Sequence, residues 1–328
     1  LKVSLFLICL AAMLWGTSGT TMVFITNIAP MNPLLVAFWR LAIASPFLLL
    51  YAATKNFLIT NSSHTSLEGA KPYALTAFTS SWKTYLGLGV CMAAYQACYF
   101  WAVPLAGVAV TALVSICSSP IFIALFAAKF LREKLTKKIY IALGLGLFGT
   151  SLLVINPQAT IAQDWRFFGG VLFALGAGLT YAAYAVGSKA IIKKLPPFTV
   201  LAYSFSIAAL LLSPALLFAS HQIINTLNNQ TINNSLTNTQ NWQLQLPFLL
   251  YLGIVSTGFA YLIYIQGLKS TQATVAGIAV LLEPLTATCL GIVIFKETLG
   301  ISGVIGGVLL VGSIALLSFP EPDKASKG

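Results

Sequence analysis

The sequence predicts an all-α integral membrane protein with ten transmembrane helices arranged as two inverted five-helix repeats. Three observations predict it. The 328 residues are 58% hydrophobic and 8% charged, with mean hydropathy +0.89, whereas a soluble domain carries roughly a quarter charged residues. The apolar stretches run about 20 residues, the length of a spanning helix rather than of a barrel strand. The chain also repeats itself: Pro120 precedes Pro284 by 164 residues, and the basic-acidic pair Arg132-Glu133 precedes Lys296-Glu297 by the same 164.

Taken in order, the first span is expected over about Val3–Thr26, where an apolar run continues past Trp15-Gly16 and shows no small-residue cleavage site, so it reads as a span and not as a leader. A tight turn with Pro30 leads to span two, about Pro33–Ala53. A polar insert, Thr54–Trp82, follows. Spans three and four, about Lys83–Val103 and Leu105–Ala128, are joined with almost no loop. The basic loop Lys129–Lys138 leads into span five, about Ile139–Ile155. The polar link Asn156–Arg166 joins the halves, with units expected at 1–156 and 157–328. Span six covers about Phe167–Lys189 and span seven about Phe198–Ser220. His221–Gln245 is an uncharged, Asn/Thr/Gln-rich segment that reads as an exposed loop. Spans eight, nine and ten cover about Leu246–Leu268, Thr271–Ile294 and Leu299–Phe319.

The formal charge is +11. Its distribution argues for membrane orientation and against a nucleic-acid partner. With ten spans, fifteen of the eighteen Lys and Arg fall on the side of the termini, Arg166 and Lys296 fall on the other, and Arg40 lies within a span. The positive-inside rule then puts both termini in the cytoplasm of a multi-pass protein of the cell (inner) membrane. Five spans per half is an odd number, so the second half enters from the opposite side, as in many secondary transporters. The five cysteines all lie in apolar spans, as small core residues rather than a disulfide framework.

A few residues stand out against this apolar background. Glu283 is the one acidic residue well inside a span, and Pro284 follows it. Burial disfavours a charged carboxylate, so Glu283 is expected either to bind a coupling proton or a substrate amine, or to satisfy backbone groups that Pro284 frees. Arg40 is expected either to bind a substrate carboxylate or phosphate, or to anchor span two near the interface. Tyr95 and Tyr99, Tyr181 and Tyr184, and Tyr261 and Tyr264 are spaced to share helix faces. With Trp15 and Gln96 they are expected to line a cavity for an amphipathic or aromatic small molecule, or else to serve in packing and interfacial belts. Pro120 and Pro284 are the expected hinges, or static kinks. The glycines of spans five and ten, among them Gly303 and Gly307, are expected to pack helices closely. A homodimer through the span-ten face is the further expectation.

The motifs Leu14-Trp15-Gly16, Phe38-Trp39-Arg40-Leu41, Glu283-Pro284, Lys296-Glu297-Thr298-Leu299 and the glycine-rich Gly303–Gly312 resemble the drug/metabolite transporter superfamily, in its EamA-like ten-span branch. The first half echoes them as Ser119-Pro120, Arg132-Glu133-Lys134-Leu135 and Gly144–Gly149, with Ser119 in the place of Glu283. The resemblance covers nearly the whole chain. It implies a secondary transporter, typically an exporter of amino acids or related small metabolites, and the inverted halves with proline-bearing spans favour alternating access. It also implies a cavity between spans one to four and six to nine, with spans five and ten behind it.

Other functional classes fit less well. An intramembrane aspartyl protease needs paired embedded aspartates, but Asp164 and Asp323 lie in polar segments. His64 and His221 also fall outside the spans, which removes a Ser–His dyad. There is no Cys/His cluster for zinc and no phosphate-binding Gly-x-x-x-x-Gly-Lys loop, and no cofactor is expected. A channel filter is not evident. A non-transporting membrane scaffold or a membrane-embedded enzyme remains the alternative to a transporter.

Overall fold

Long apolar runs punctuated by Gly, Pro and polar turns fold into helices. A computed structural model describes residues 2–29, 31–62, 73–154, 165–216, 235–296 and 298–319. The helices are α1 (Lys2–Ile28), α2 (Pro33–Lys55), α3 (Ser81–Ala106), α4 (Val108–Leu131), α5 (Lys137–Val154), α6 (Trp165–Ile191), α7 (Pro197–Leu212), α8 (Trp242–Ser270), α9 (Ala273–Phe295) and α10 (Ile301–Ser318). Among the described residues, nine helices are long and apolar enough to cross a membrane, and α7 is a shorter apolar helix. No strand occurs among the described residues. Glu297, most of the link between the halves, the last residues and parts of the two polar inserts (63–72 and 221–234) lie outside them.

Helix boundaries follow local chemistry. Pro33 opens α2 and Pro197 opens α7, where a missing N–H costs nothing. Helix α7 is interrupted after Leu212, because Pro214 cannot continue it; the Ser213 hydroxyl and N–H both bond Leu210 O instead, helical conformation returns at Ala215 and Leu216, and the expected end at Ser220 lies outside the described residues. Gly107, at φ 82°, turns the chain between α3 and α4 in a conformation that favours glycine. The helices keep large apolar side chains on their outsides, Phe6, Leu125, Leu210 and Val308 among them. That surface suits lipid, and the exposed Trp82, Trp165 and Trp242 sit at helix starts, where interfacial tryptophans belong.

The packing respects the repeat. Helix α1 packs against α8 and α9 as α6 packs against α3 and α4. Helix α2 lies on α7 and α8 as α7 lies on α2 and α3, and α5 and α10 pack on each other behind the rest. Shifting each helix number by five maps these contacts onto one another. At the back, a Cβ on Gly149 would meet Gly306 O at 2.7 Å, and one on Gly306 would meet Gly149 O at 2.5 Å. Close approach of small residues is what holds helices together in lipid, where burial of apolar surface drives nothing.

Polar side chains secure the helix ends that share a side with the termini. Glu133, just past α4, accepts from the N–H groups of Ala273 (2.6 Å) and Thr274 (3.1 Å) and from the Thr274 hydroxyl (2.9 Å). It thereby satisfies orphan donors at the start of α9 with a negative charge at the positive end of the helix. Lys189, at the end of α6, donates to Leu268 O (2.5 Å) and Lys269 O (3.0 Å), the last carbonyls of α8. At the opposite end, Gln245 of α8 donates to Ile25 O and Ala29 O, both at 3.0 Å.

Candidate functional site

Helix α9 is broken at its middle. It is regular over Ala273–Ala279 and again over Leu282–Phe295, with a turn at Val280 and Leu281 between. Pro284 has no N–H to offer the carbonyl four residues back. The Glu283 N–H takes that carbonyl instead, donating to Val280 O at 2.9 Å. The backbone is therefore satisfied without the Glu283 carboxyl, which has no hydrogen-bond partner among the described residues. On the other side of the break Gly16 of α1 lies flat against it: a Cβ there would meet Glu283 O and Thr286 Cβ, each at 2.6 Å.

A cavity opens beside the break, with about 510 Å³ of unfilled space including its mouth. Its lining is Trp15, Arg40, Tyr95, Ser115, Ile116, Ser119, Pro120, Tyr181, Tyr261, Gly277, Val280 and Glu283. The lining is nearly two-fold. Trp15 packs on Tyr261 with ring centroids 4.7 Å apart, and Tyr181 packs on Tyr95 at 5.3 Å. Trp15 and Tyr181 are 166 residues apart, and so are Tyr95 and Tyr261. Ile116 and Val280 are 164 apart, as are Ser119 and Glu283.

The two charges break the symmetry. Glu283 stands where the other half has Ser119, whose hydroxyl donates to Ser115 O at 2.7 Å. Arg40 corresponds to Ser204, which is not part of the lining. Arg40 and Glu283 act on each other electrostatically but do not form an ion pair. The Arg40 Nε donates to the Thr257 hydroxyl at 2.5 Å, and its Nη groups have no hydrogen-bond partner among the described residues. Trp15 is 4% exposed, and its Nε1 also lacks a partner there.

Of the residues expected from sequence, the cavity gathers Trp15, Arg40, Tyr95, Tyr181, Tyr261 and Glu283, together with Pro120. Four others sit behind it. Tyr264 packs on Trp15 at 5.2 Å, Tyr184 on Phe205 at 6.2 Å, Tyr99 on Tyr95 at 6.3 Å, and Gln96 is buried in α3. Pro284 is buried in the break and does not line the cavity. The lining residues Ser115, Ile116, Ser119, Gly277 and Val280 were not expected there. The repeat carries a signal for three of them, since Ile116 and Val280 are its mates and Ser119 is the mate of Glu283, and Ser115 lies one helical turn before Ser119. Nothing in the sequence pairs Arg40 with Thr257, 217 residues away.

The EamA-like transporter family matches the chain twice, over residues 2–155 and 168–319. The "Uncharacterized transporter YwfM" of Bacillus subtilis (strain 168) is 30% identical over 334 residues, covering 99% of this chain and 96% of that protein. An "Uncharacterized transporter" of Archaeoglobus fulgidus is 26% identical over 75% of this chain and 80% of its own. A solved crystal structure superposes with a TM-score of 0.71 over 97% of both chains at 19% identity, a likeness of fold.

Proposed function

The chain belongs to the EamA-like transporter family, and on that premise we propose that it is a secondary active exporter of amino acids or related small metabolites. It works by alternating access in the cell membrane, with both termini cytoplasmic, and couples transport to protons at Glu283. One observation carries this reading: a cation, Arg40, and a carboxyl, Glu283, line one cavity without pairing, among aromatic rings. Arg40 suits a substrate carboxylate, Glu283 an ammonium group or a proton, and Trp15, Tyr95, Tyr181 and Tyr261 the apolar part. Two opposite charges held in a low-dielectric site without each other are costly, which is a reason to keep them only if a ligand completes them.

Alternating access needs places to bend. Pro120 and Pro284, mates in the repeat, are the proposed hinges: Pro284 sits at the break of α9, and Pro120 lies inside the continuous α4, where it lines the cavity. A homodimer through the outer face of α10 is a separate proposal, read by crosslinking on that face. The central experiment is transport by proteoliposomes of a panel of amino acids, amines and purine-type metabolites, with and without an imposed pH gradient. Gradient-driven movement of amino acids supports the reading. Movement of neither amino acids nor related metabolites, by protein that is folded and correctly inserted, defeats it.

A further inference from the structure

An arginine and a glutamate that share a cavity in hydrocarbon have every electrostatic reason to pair. Here they do not, and Arg40 is bonded instead to Thr257 of α8. Helix α8 is π-helical from Tyr251 to Phe259, an unusual stretch of the kind that recurs at functional sites. Two glycines within it let α2 press in: a Cβ on Gly253 would meet Ile43 Cβ at 2.5 Å, and one on Gly258 would meet Phe47 Cδ1 at 2.6 Å. On the α1 side the Ser256 and Ser18 hydroxyls share a hydrogen bond at 2.6 Å, and the Tyr251 hydroxyl donates to Thr17 Oγ1 at 2.9 Å. The π-helical segment is thus fixed to α1 and α2. It holds Thr257, which is fully buried, against the Nε of Arg40.

We propose that Thr257 is a positioning residue that keeps Arg40 apart from Glu283, so that the cavity presents two separate charges to its substrate. The proposal rests on reading the cavity as the substrate site. Because the bond uses Nε, it leaves the end-on face of the guanidinium, its two Nη groups, for an anionic group of the substrate, in the two-pronged geometry that Arg favours. Without the Thr257 acceptor the guanidinium swings to Glu283, the two charges cancel, and the cavity loses both.

The test reads Arg40 itself and needs no known substrate. Phenylglyoxal reacts with the Nη pair of accessible arginines, and peptide mass spectrometry separates Arg40 from Arg132 and Arg166. Wild-type protein and Thr257→Ser, which keeps the acceptor, are expected to label at Arg40 at similar rates. Thr257→Val, which keeps the shape and loses the acceptor, is expected to label about threefold more slowly or less, because an ion-paired guanidinium is protected. Adding Glu283→Gln to Thr257→Val is expected to restore labelling. Restoration also separates positioning from simple loss of fold, since a misfolded variant is not rescued by a second substitution. Three results overturn the proposal: no labelling of Arg40 in the wild type, an unchanged rate in Thr257→Val, or a slower rate that Glu283→Gln leaves unrestored. A failed transport screen with this labelling pattern intact would strike the proposed function and leave the positioning role standing.

Discussion

Arg132 and Lys296 are 164 residues apart and share one backbone conformation, left-handed, at φ 55° and φ 59°. They are the two non-glycine residues with positive φ among the described residues. Each ends the helix that carries its half's proline, and each donates its N–H five residues back, Arg132 to Ala127 O and Lys296 to Gly291 O. A side chain in this conformation costs about 1–2 kcal/mol, and glycine avoids that cost. Arg132→Gly and Lys296→Gly are therefore expected to melt within a few degrees of the wild type in detergent. Arg132→Val and Lys296→Val, β-branched at the same φ, are expected to lose about 1–2 kcal/mol. Equal melting of the Gly and Val variants would show that the left-handed turn is not what these positions require.

The crossing of α5 and α10 rests on two glycines. Gly149 and Gly306 each meet the other's carbonyl where a Cβ would stand. Gly149→Ala and Gly306→Ala are expected to push the helices apart and cost about 1–3 kcal/mol of stability each, seen as a lower melting temperature. Gly144 and Gly312 lie in the same two helices, and a Cβ on either would meet nothing within 4 Å. Gly144→Ala and Gly312→Ala are expected to leave stability unchanged or slightly raised. Scanning fluorimetry of the four variants separates contact from glycine content.

Glu133 holds the start of α9 through three hydrogen bonds. Glu133→Ala leaves two backbone donors unsatisfied and removes a charge that opposes the helix dipole, an expected loss of about 1–3 kcal/mol. Glu133→Gln keeps one acceptor oxygen and is expected to fall between. Since α9 carries Glu283, the Ala variant is also expected to transport more slowly. Unchanged melting and transport in Glu133→Ala would make this carboxylate dispensable.

Much of this arrangement was legible in the sequence, for identifiable reasons. Spans are readable because lipid demands long apolar runs, and the repeat because proline and the basic-acidic pairs punctuate both halves at one spacing. Six of the ten residues expected at the site do meet in the cavity, since helical spacing places Tyr95, Tyr181 and Tyr261 on inward faces. The same spacing cannot tell lining from backing: Tyr184 and Tyr264 share faces with Tyr181 and Tyr261 yet lie a layer behind. The turn after Leu212 shows Pro214 interrupting a helix inside an apolar run. The Arg40–Thr257 bond and the π-helical turn depend on how α2 and α8 dock, and no local pattern encodes docking.

Gly16 lets α1 lie against the break in α9. A methyl there would strike Glu283 O and Thr286 Cβ, so Gly16→Ala is expected to shift the Glu283 backbone and to cut transport at least tenfold, a loss of ~1.4 kcal/mol or more in transition-state terms. A Cβ on Gly19, three residues on, would meet nothing within 4 Å, and Gly19→Ala is expected to transport normally. Equal transport by both variants would show that α1 does not constrain the break.

Glu283 separates a structural role from a functional one because its carboxyl bonds nothing among the described residues. Had it served the backbone at Pro284, neutralising it would disturb the helix. The Glu283 N–H already fills that need at Val280 O, so Glu283→Gln is expected to fold and melt as the wild type does. Glutamine copies the shape and polarity of a protonated glutamate but cannot release a proton. If Glu283 carries the coupling proton, Glu283→Gln loses the response of transport to a pH gradient and retains exchange of substrate across a membrane without one. If it binds a substrate ammonium instead, substrate affinity falls and the pH response of the remaining transport persists. Both are read in one set of proteoliposome experiments, by varying substrate and gradient independently. A normally folded variant with unchanged affinity and unchanged pH response would remove Glu283 from the mechanism, and would leave a partnerless carboxyl at the midpoint of a spanning helix with no physical reason to be there.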